Sequence, residues 1–282
     1  MAVSENRIEV GNLTWFYREA QPTGASDRTP VVLLHGIPAQ SYSWREVLPA
    51  LSAQGFRAIA PDWIGSGFST QPDRRDFAYT PTAFLQGLEA FLQALELEKF
   101  SLVVQGFLGT VGVQYALQHP EQIDRLAILN APITTTAKLP WNLKQLGVPL
   151  VGEMLTQDPL LVDRALEGAG GYRVEDGDLD VYRRPFLKSS DAGRALFTTI
   201  RNLHVQETTA EIETGLQAWT RPLLLAWGDR DPWLPPTLVQ QFAQSQPQAE
   251  LVLLEETGHY PQEDWPEKVS ATLLTFLRRR VL

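Results

Sequence analysis

The sequence predicts an α/β fold, a mainly parallel sheet flanked by helices, on three observations. Short apolar runs alternate with amphipathic stretches of helical spacing in both the first and the last third of the chain. At residues 101–104 one such run, Ser-Leu-Val-Val, gives way through Gly106 and Gly109 to an amphipathic stretch over 111–119. Between about 131 and 217 the pattern changes. Strand-like runs thin out, glycines scatter at Gly168, Gly170, Gly171 and Gly177, and short amphipathic segments take over. The chain has 282 residues, enough for one large domain with a substantial core. The expected organisation is a core of residues 1–130 and 218–282, with 131–217 inserted as a helical layer above it.

Taken in order, residues 7–10 and 13–19 read as two strands joined at Gly11-Asn12, a hairpin signal. After a polar loop, 30–34 is a buried strand that runs into His35-Gly36-Ile37-Pro38. Helix signals cover 44–54 and stop at Gly55; 56–60 is the next strand, followed by a glycine-punctuated loop over 61–69. Thr80 is placed to cap a helix over 81–95 with Pro81 at its first position. Strands follow at 101–104, 123–129, 222–227 and 250–255, and a helix over 266–280 closes the chain. The basic run Arg278-Arg279-Arg280 there suits the negative end of the helix dipole.

Composition narrows the function classes. A hydrophobic fraction of 44% and a charged fraction of 20% are those of an ordinary globular protein. A net charge of −9 without a basic tract argues against nucleic acid as a partner. The absence of cysteine excludes disulfides, thiolate nucleophiles and cysteine-bound metals, and no cofactor or metal is expected. The N-terminus carries no long apolar segment and no run reaches membrane-spanning length, so the expected location is cytoplasmic.

The chemistry centres on the break after residue 104. A strand that turns sharply into a helix is the setting of the nucleophile elbow of α/β-hydrolases, where the turn lifts one side chain above the sheet. The helix N-terminus there supplies N–H donors and a positive dipole end. Position 106 is where that side chain belongs, and it is glycine. His35-Gly36-Ile37-Pro38 reads either as a plain turn or as an oxyanion loop, the Ile37 N–H joining that of Phe107 to hold a developing negative charge.

The turn at 35–38, the stretch Ser41-Tyr42-Ser43-Trp44-Arg45 and the loop at 61–69 resemble the N-terminal half of haloalkane dehalogenases and related epoxide hydrolases. The similarity resumes at Val181-Tyr182-Arg183-Arg184-Pro185-Phe186 and runs to the C-terminus, so it covers nearly the whole chain. The resemblance implies an α/β-hydrolase fold with an inserted helical cap. It places the triad acid in the stretch 228–235, where Asp231 fits better than Asp229, and the catalytic histidine at His259 in Thr257-Gly258-His259-Tyr260-Pro261. The family's elbow usually reads Gln-Asp-Trp-Gly-Gly with aspartate as nucleophile. Here the same places hold Gln105, Gly106, Phe107, Leu108 and Gly109. Dehalogenases commonly hold the leaving halide with that tryptophan and with an asparagine in the third place of the His-Gly motif. Phe107 and Ile37 have no side-chain donor, so the sequence argues against dehalogenation.

The inserted segment offers Trp141, Leu146, Tyr172, Tyr182, Phe186 and Phe197 as lining for an apolar pocket, or simply as packing against the core. Tyr172 and Tyr182 are also a candidate phenolic pair for polarising an epoxide oxygen, as cap tyrosines do in epoxide hydrolases. Glycine at 106 keeps the turn while removing both strain and nucleophile. Two functions remain. One is a binding protein for a small apolar ligand or a protein partner, with little or no covalent hydrolysis. The other is a hydrolase or lyase without a covalent intermediate, His259 and Asp231 acting as general base on a water.

Overall fold

The computed structural model describes residues 2–279. Eight strands among them form one sheet: β1 (Ser4–Val10), β2 (Leu13–Ala20), β3 (Val31–Leu34), β4 (Ala58–Pro61), β5 (Phe100–Gln105), β6 (Ile123–Leu129), β7 (Leu223–Gly228) and β8 (Ala249–Leu254). Their spatial order is β1-β2-β4-β3-β5-β6-β7-β8. The hairpin β1–β2 and the β2–β4 pair are antiparallel, and every pair from β4 onward is parallel. Parallel strands are covered on both faces, which is why β3 reads as an unbroken apolar run and every residue of β5 is buried.

Flanking helices supply that cover: α1 (Val47–Ser52), α2 (Pro81–Ala94) and α3 (Gly106–Gln118) come before β6. Residues 44–54 do not form one helix. A 3₁₀ turn at Ser41–Trp44 precedes α1, which starts only at Val47. Pro49 explains the late start, because a residue without an N–H is tolerated in the first turn of a helix and not deeper. Thr80 caps α2 as expected, its Oγ1 accepting the Ala83 N–H at 3.2 Å. α3 begins at Gly106, five residues earlier than the amphipathic stretch suggests, so helix follows strand with no loop between them.

Between β6 and β7 the chain forms α4 (Trp141–Lys144), α5 (Val151–Leu155), α6 (Leu161–Ala169), α7 (Asp176–Lys188), α8 (Ser190–Arg201) and α9 (Val205–Gln217), with no strand among them. α10 (Pro236–Ser245), α11 (Pro261–Asp264) and α12 (Pro266–Arg278) complete the fold; Arg280 of the basic run lies outside the described residues. Alternate strand residues feed two cores. Val32, Leu34, Leu102, Val104, Leu223 and Leu225 join α2, α3 and the inserted helices. Val31, Leu33, Val103, Ala127, Leu224 and Ala226 join α1 and α12.

A charged cluster seats the inserted helices. Arg45 donates to both oxygens of Glu263 at 2.7 and 2.9 Å and to Asp178 of α7 at 2.7 Å. The Tyr42 hydroxyl donates to Asp178 at 2.7 Å, and that of Tyr182 donates to Glu263. Burial raises the Glu263 carboxyl above the ordinary carboxylate range against the pull of Arg45. Burial, with the bond to Asp178, pushes the Tyr42 phenol up to about 12. No described helix is long and apolar enough to cross a membrane.

Candidate active site

The residues singled out in the sequence converge at the carboxyl ends of the parallel strands, where open α/β sheets hold their ligands. Gly106 follows β5 directly, Ile37 stands in the loop after β3, Asp231 in the loop after β7 and His259 in the loop after β8. The loop after β6 adds Asn130.

His259 and Asp231 are paired, Nδ1 lying 2.9 Å from Oδ2 with both side chains fully buried. The same Oδ2 accepts from Asn130 Nδ2 at 2.7 Å, and Oδ1 accepts the N–H groups of Trp233 and Leu234 at 2.7 and 3.0 Å. Asp231 therefore accepts from four donors, His259 Nδ1–H among them. That network assigns the ring proton to Nδ1 and leaves the Nε2 lone pair free. Nε2 is buried and has no hydrogen-bond partner. Asp229, the rejected alternative, has an unpartnered buried Oδ1 and no bond to His259. The rings of Trp233 and Phe107 lie 4.6 and 5.7 Å from that of His259, the second stacked on it.

Nε2 faces the elbow. Gly106 has φ of +71°, the left-handed region that glycine enters without strain. A Cβ built there would stand 3.5 Å from His259 Nε2, but only 2.9 Å from the Cα of Gly36. A Cβ on Gly36 would in turn meet the Gly106 Cα at 2.9 Å. The loop after β3 and the elbow therefore touch backbone to backbone, and a side chain at either glycine would push them apart.

Gln105 locks this arrangement. Its Oε1 accepts the Gly36 N–H at 3.1 Å and its Nε2 donates to the carbonyl of His259 at 2.8 Å. His35 braces the same loop: Nδ1 donates to the Gly36 carbonyl at 2.7 Å and Nε2 accepts the Trp63 N–H at 3.2 Å. Both bonds require the neutral ring, and burial lowers the His35 pKa below its ordinary 6.5. The Ile37 carbonyl accepts from the Tyr260 hydroxyl at 2.9 Å. The Phe107 N–H sits in the first turn of α3, where it has no intrahelical acceptor. Asp264 ties the His259 loop to the inserted segment, accepting the N–H groups of Gly258 and Gly171 at 2.6 and 2.7 Å.

The proposed aromatic lining needs correction. Trp141 is 71% exposed, because four-residue α4 turns only Leu143 fully inward. Tyr172 is 44% exposed and packs edge-on against Trp265 at 5.2 Å, away from Gly106. Tyr182 is buried with its hydroxyl committed to Glu263, so the two tyrosines do not form an epoxide-polarising pair. Tyr182 and Phe186 do share a narrow cavity of about 20 Å³ with Pro38 and Gly65. Leu146 is buried, and Phe197 lines a larger space of about 470 Å³ between α5, α8 and residues 72–79. Gly106, Phe107 and His259 line neither of these two cavities. No group of three or more His, Asp and Glu among these residues could hold a metal ion.

Asn130, Gln105, His35 and Asp264 went unassigned in the sequence. Gln105 carried a signal as the residue before the elbow, and Asn130 one as the first residue after a buried strand. Gln105 works through partners 69 and 154 residues away and Asn130 through partners 98 and 101 residues away, which no local pattern reports.

This sheet order and the helical insertion after β6 are those of the α/β-hydrolase fold, and the histidine–acid pair stands at the carboxyl edge of the sheet. The family model for the alpha/beta hydrolase fold matches residues 29–168, and within that fold the chain resembles the haloalkane dehalogenases. A haloalkane dehalogenase of Mesorhizobium japonicum is 28% identical over 297 residues, covering 100% of this chain and 93% of that protein. A cis-3-alkyl-4-alkyloxetan-2-one decarboxylase of Xanthomonas campestris pv. campestris is 29% identical over 278 residues, covering 92% and 91%. The crystal structure of a haloalkane dehalogenase from Bradyrhizobium elkani superposes with a TM-score of 0.86 at 26% identity, covering 98% of each chain.

Proposed function

We propose that this protein is a non-covalent member of the group. It holds a small molecule under the inserted helices and forms no ester intermediate on the elbow. The observation that carries the reading is the contact between Gly36 and Gly106, which leaves no side chain beside His259 Nε2 and admits one only if the two backbones move apart. Ile37 and Phe107, the proposed oxyanion donors, then face an empty chemistry: backbone atoms at 106 cannot attack carbon. A ligand-sized space under the inserted helices is the cavity of about 470 Å³, which falls within the usual range for small-molecule sites. Tyr79, Ala195 and Phe197 give it apolar wall, while Asp73, Glu153 and Arg194 give it charge. That mixture favours an amphiphilic ligand over the purely apolar one expected from the sequence.

One observation favours the second reading. The Asp231–His259 pair is intact, and a free Nε2 lone pair is what a general base for water requires. The experiment that separates them is intact-mass spectrometry and product assay after incubation with an ester, a haloalkane and a β-lactone. The last two are chosen because the relatives named above carry those substrates in their names. The expected result is no adduct and no turnover. Turnover without an adduct, lost in His259→Ala, would establish the water mechanism. A covalent adduct on the wild-type chain would overturn both readings.

A further inference from the structure

A second concave site lies on the far side of Tyr42, where the β1–β2 hairpin meets α7. The hairpin register sets it up. Glu5 pairs with Arg18 and Arg7 with Phe16, so these four side chains share one face of the ribbon. Arg184 and Val181 of α7 and Phe68 from the loop after β4 close the other side, around a cavity of about 280 Å³.

The charge there runs against that of the whole chain. The protein is at −9, yet this groove holds three guanidiniums and one carboxylate. Arg18 is 3% exposed, bonding Ser41 Oγ at 2.7 Å and Glu5 at 2.9 Å. Glu5 itself is largely solvated, its side chain 62% exposed. The Arg7 side chain donates only to the Phe68 carbonyl, at 2.9 Å. Arg184 is exposed and has no hydrogen bond or ion pair among the described residues. The walls between the charges are aromatic: the Phe16 ring has Arg7 at 5.2 Å and Arg18 at 4.9 Å, and Phe68 lies 5.2 Å from it. Stacking on these rings helps to position both guanidiniums, and Arg7 commits only Nη1, to the Phe68 carbonyl.

We propose that this groove binds a small organic phosphate, its phosphoryl oxygens on Arg7, Arg18 and Arg184 and its organic part against Phe16 and Phe68. Three guanidiniums against Glu5 leave two positive charges, which match a phosphomonoester dianion better than a carboxylate. Donors from two β-strands and one helix also suit a tetrahedral anion with three oxygens better than a planar one with two. The volume limits the ligand to about the size of a nucleoside monophosphate or smaller. The same phosphate chemistry could be offered free in solution or on a lipid headgroup.

The test is calorimetric titration of the full-length protein with phenyl phosphate and with benzoate, beside co-sedimentation with phosphatidylcholine vesicles with and without phosphatidic acid. Saturable binding of phenyl phosphate is expected, weakening as salt is added. The double variant Arg7→Ala/Arg184→Ala, at two exposed positions, should lose at least about tenfold in affinity, while Glu5→Gln should gain about threefold. Binding to phosphatidic-acid vesicles but not to phenyl phosphate, lost in the double variant, would support the same site and place the phosphate on a lipid. The proposal is overturned if benzoate binds as well as phenyl phosphate. It is also overturned if the double variant binds unchanged, or if neither phosphate source binds.

Discussion

On the His259 side of the crevice every polar atom of the acid–base pair but one is held, whereas on the Gly106 side the contact is between two bare backbones. Asp231 accepts from Asn130, His259, Trp233 and Leu234, so it joins the loops after β6, β7 and β8. Gly106 and Gly36 meet with no side chain between them, and the polar bonds that fasten them come from their neighbours Gln105 and His35. The difference separates two roles that an active site normally merges. The acid and histidine are woven into the frame, and removing Asp231 would leave four buried donors unpaired. Position 106 makes no side-chain bond, and glycine there holds φ of +71° and the contact with Gly36 without strain.

Asp231→Ala attacks the first side directly. It would leave four donors around a buried cavity, and the expected loss is about 3–5 kcal/mol of unfolding free energy in urea titration. A loss below about 1 kcal/mol would show that the pair is ornamental to the fold, and the contrast would collapse. Gly106→Ser attacks the second side. Forcing a Cβ into φ of +71° and against Gly36 should cost about 1–3 kcal/mol, less than the first change. Slow hydrolysis of an activated ester should appear with it, because Nε2 already stands 3.5 Å from where that Cβ would be. Gly106→Asp should release no halide from a haloalkane, since Phe107 and Ile37 offer no side-chain donor. Halide release by that variant would refute the argument from those two positions.

The smallest effect is a pH dependence. His35 is buried neutral with its pKa held below 6.5, so as pH falls under 6.5 the unfolded chain takes up a proton that the folded one refuses. Stability from this group is complete above 6.5 and declines toward acid, with a slope of at most about 1.4 kcal/mol per pH unit. Comparing unfolding free energies of wild type and His35→Gln from pH 7.5 to about 5 isolates that slope. If the two curves run parallel, His35 is not the buried neutral brace that the loop requires.

Much of the fold was legible because its cause is local. Apolar runs at 31–34, 102–104 and 126–129 mark strands covered on both faces, and Thr80-Pro81 marks a helix start, whatever surrounds them. The late start of α1 was also written in the sequence, in Pro49. Gly106 could be picked out because a strand breaks into a helix there, whereas Asp231 and His259 were picked out because their stretches resemble the acid and histidine motifs of the haloalkane dehalogenases.

What the sequence left open depends on which strands lie side by side. Asn130 reaches Asp231 across 101 residues, and Gln105 reaches His259 across 154, because β5 through β8 are neighbours in the sheet. Trp141 looked like pocket lining because a large aromatic residue usually buries itself. In a four-residue helix it has no second turn of apolar neighbours to bury it against, and it stands 71% exposed. The sequence by itself determined the strands, the elbow and the missing side chain, since each follows from short-range sterics and hydrophobic periodicity. Only the tertiary structure decided that the space beside His259 is closed. That depends on Gly36 and Gly106, 70 residues apart, coming close enough to exclude one carbon atom.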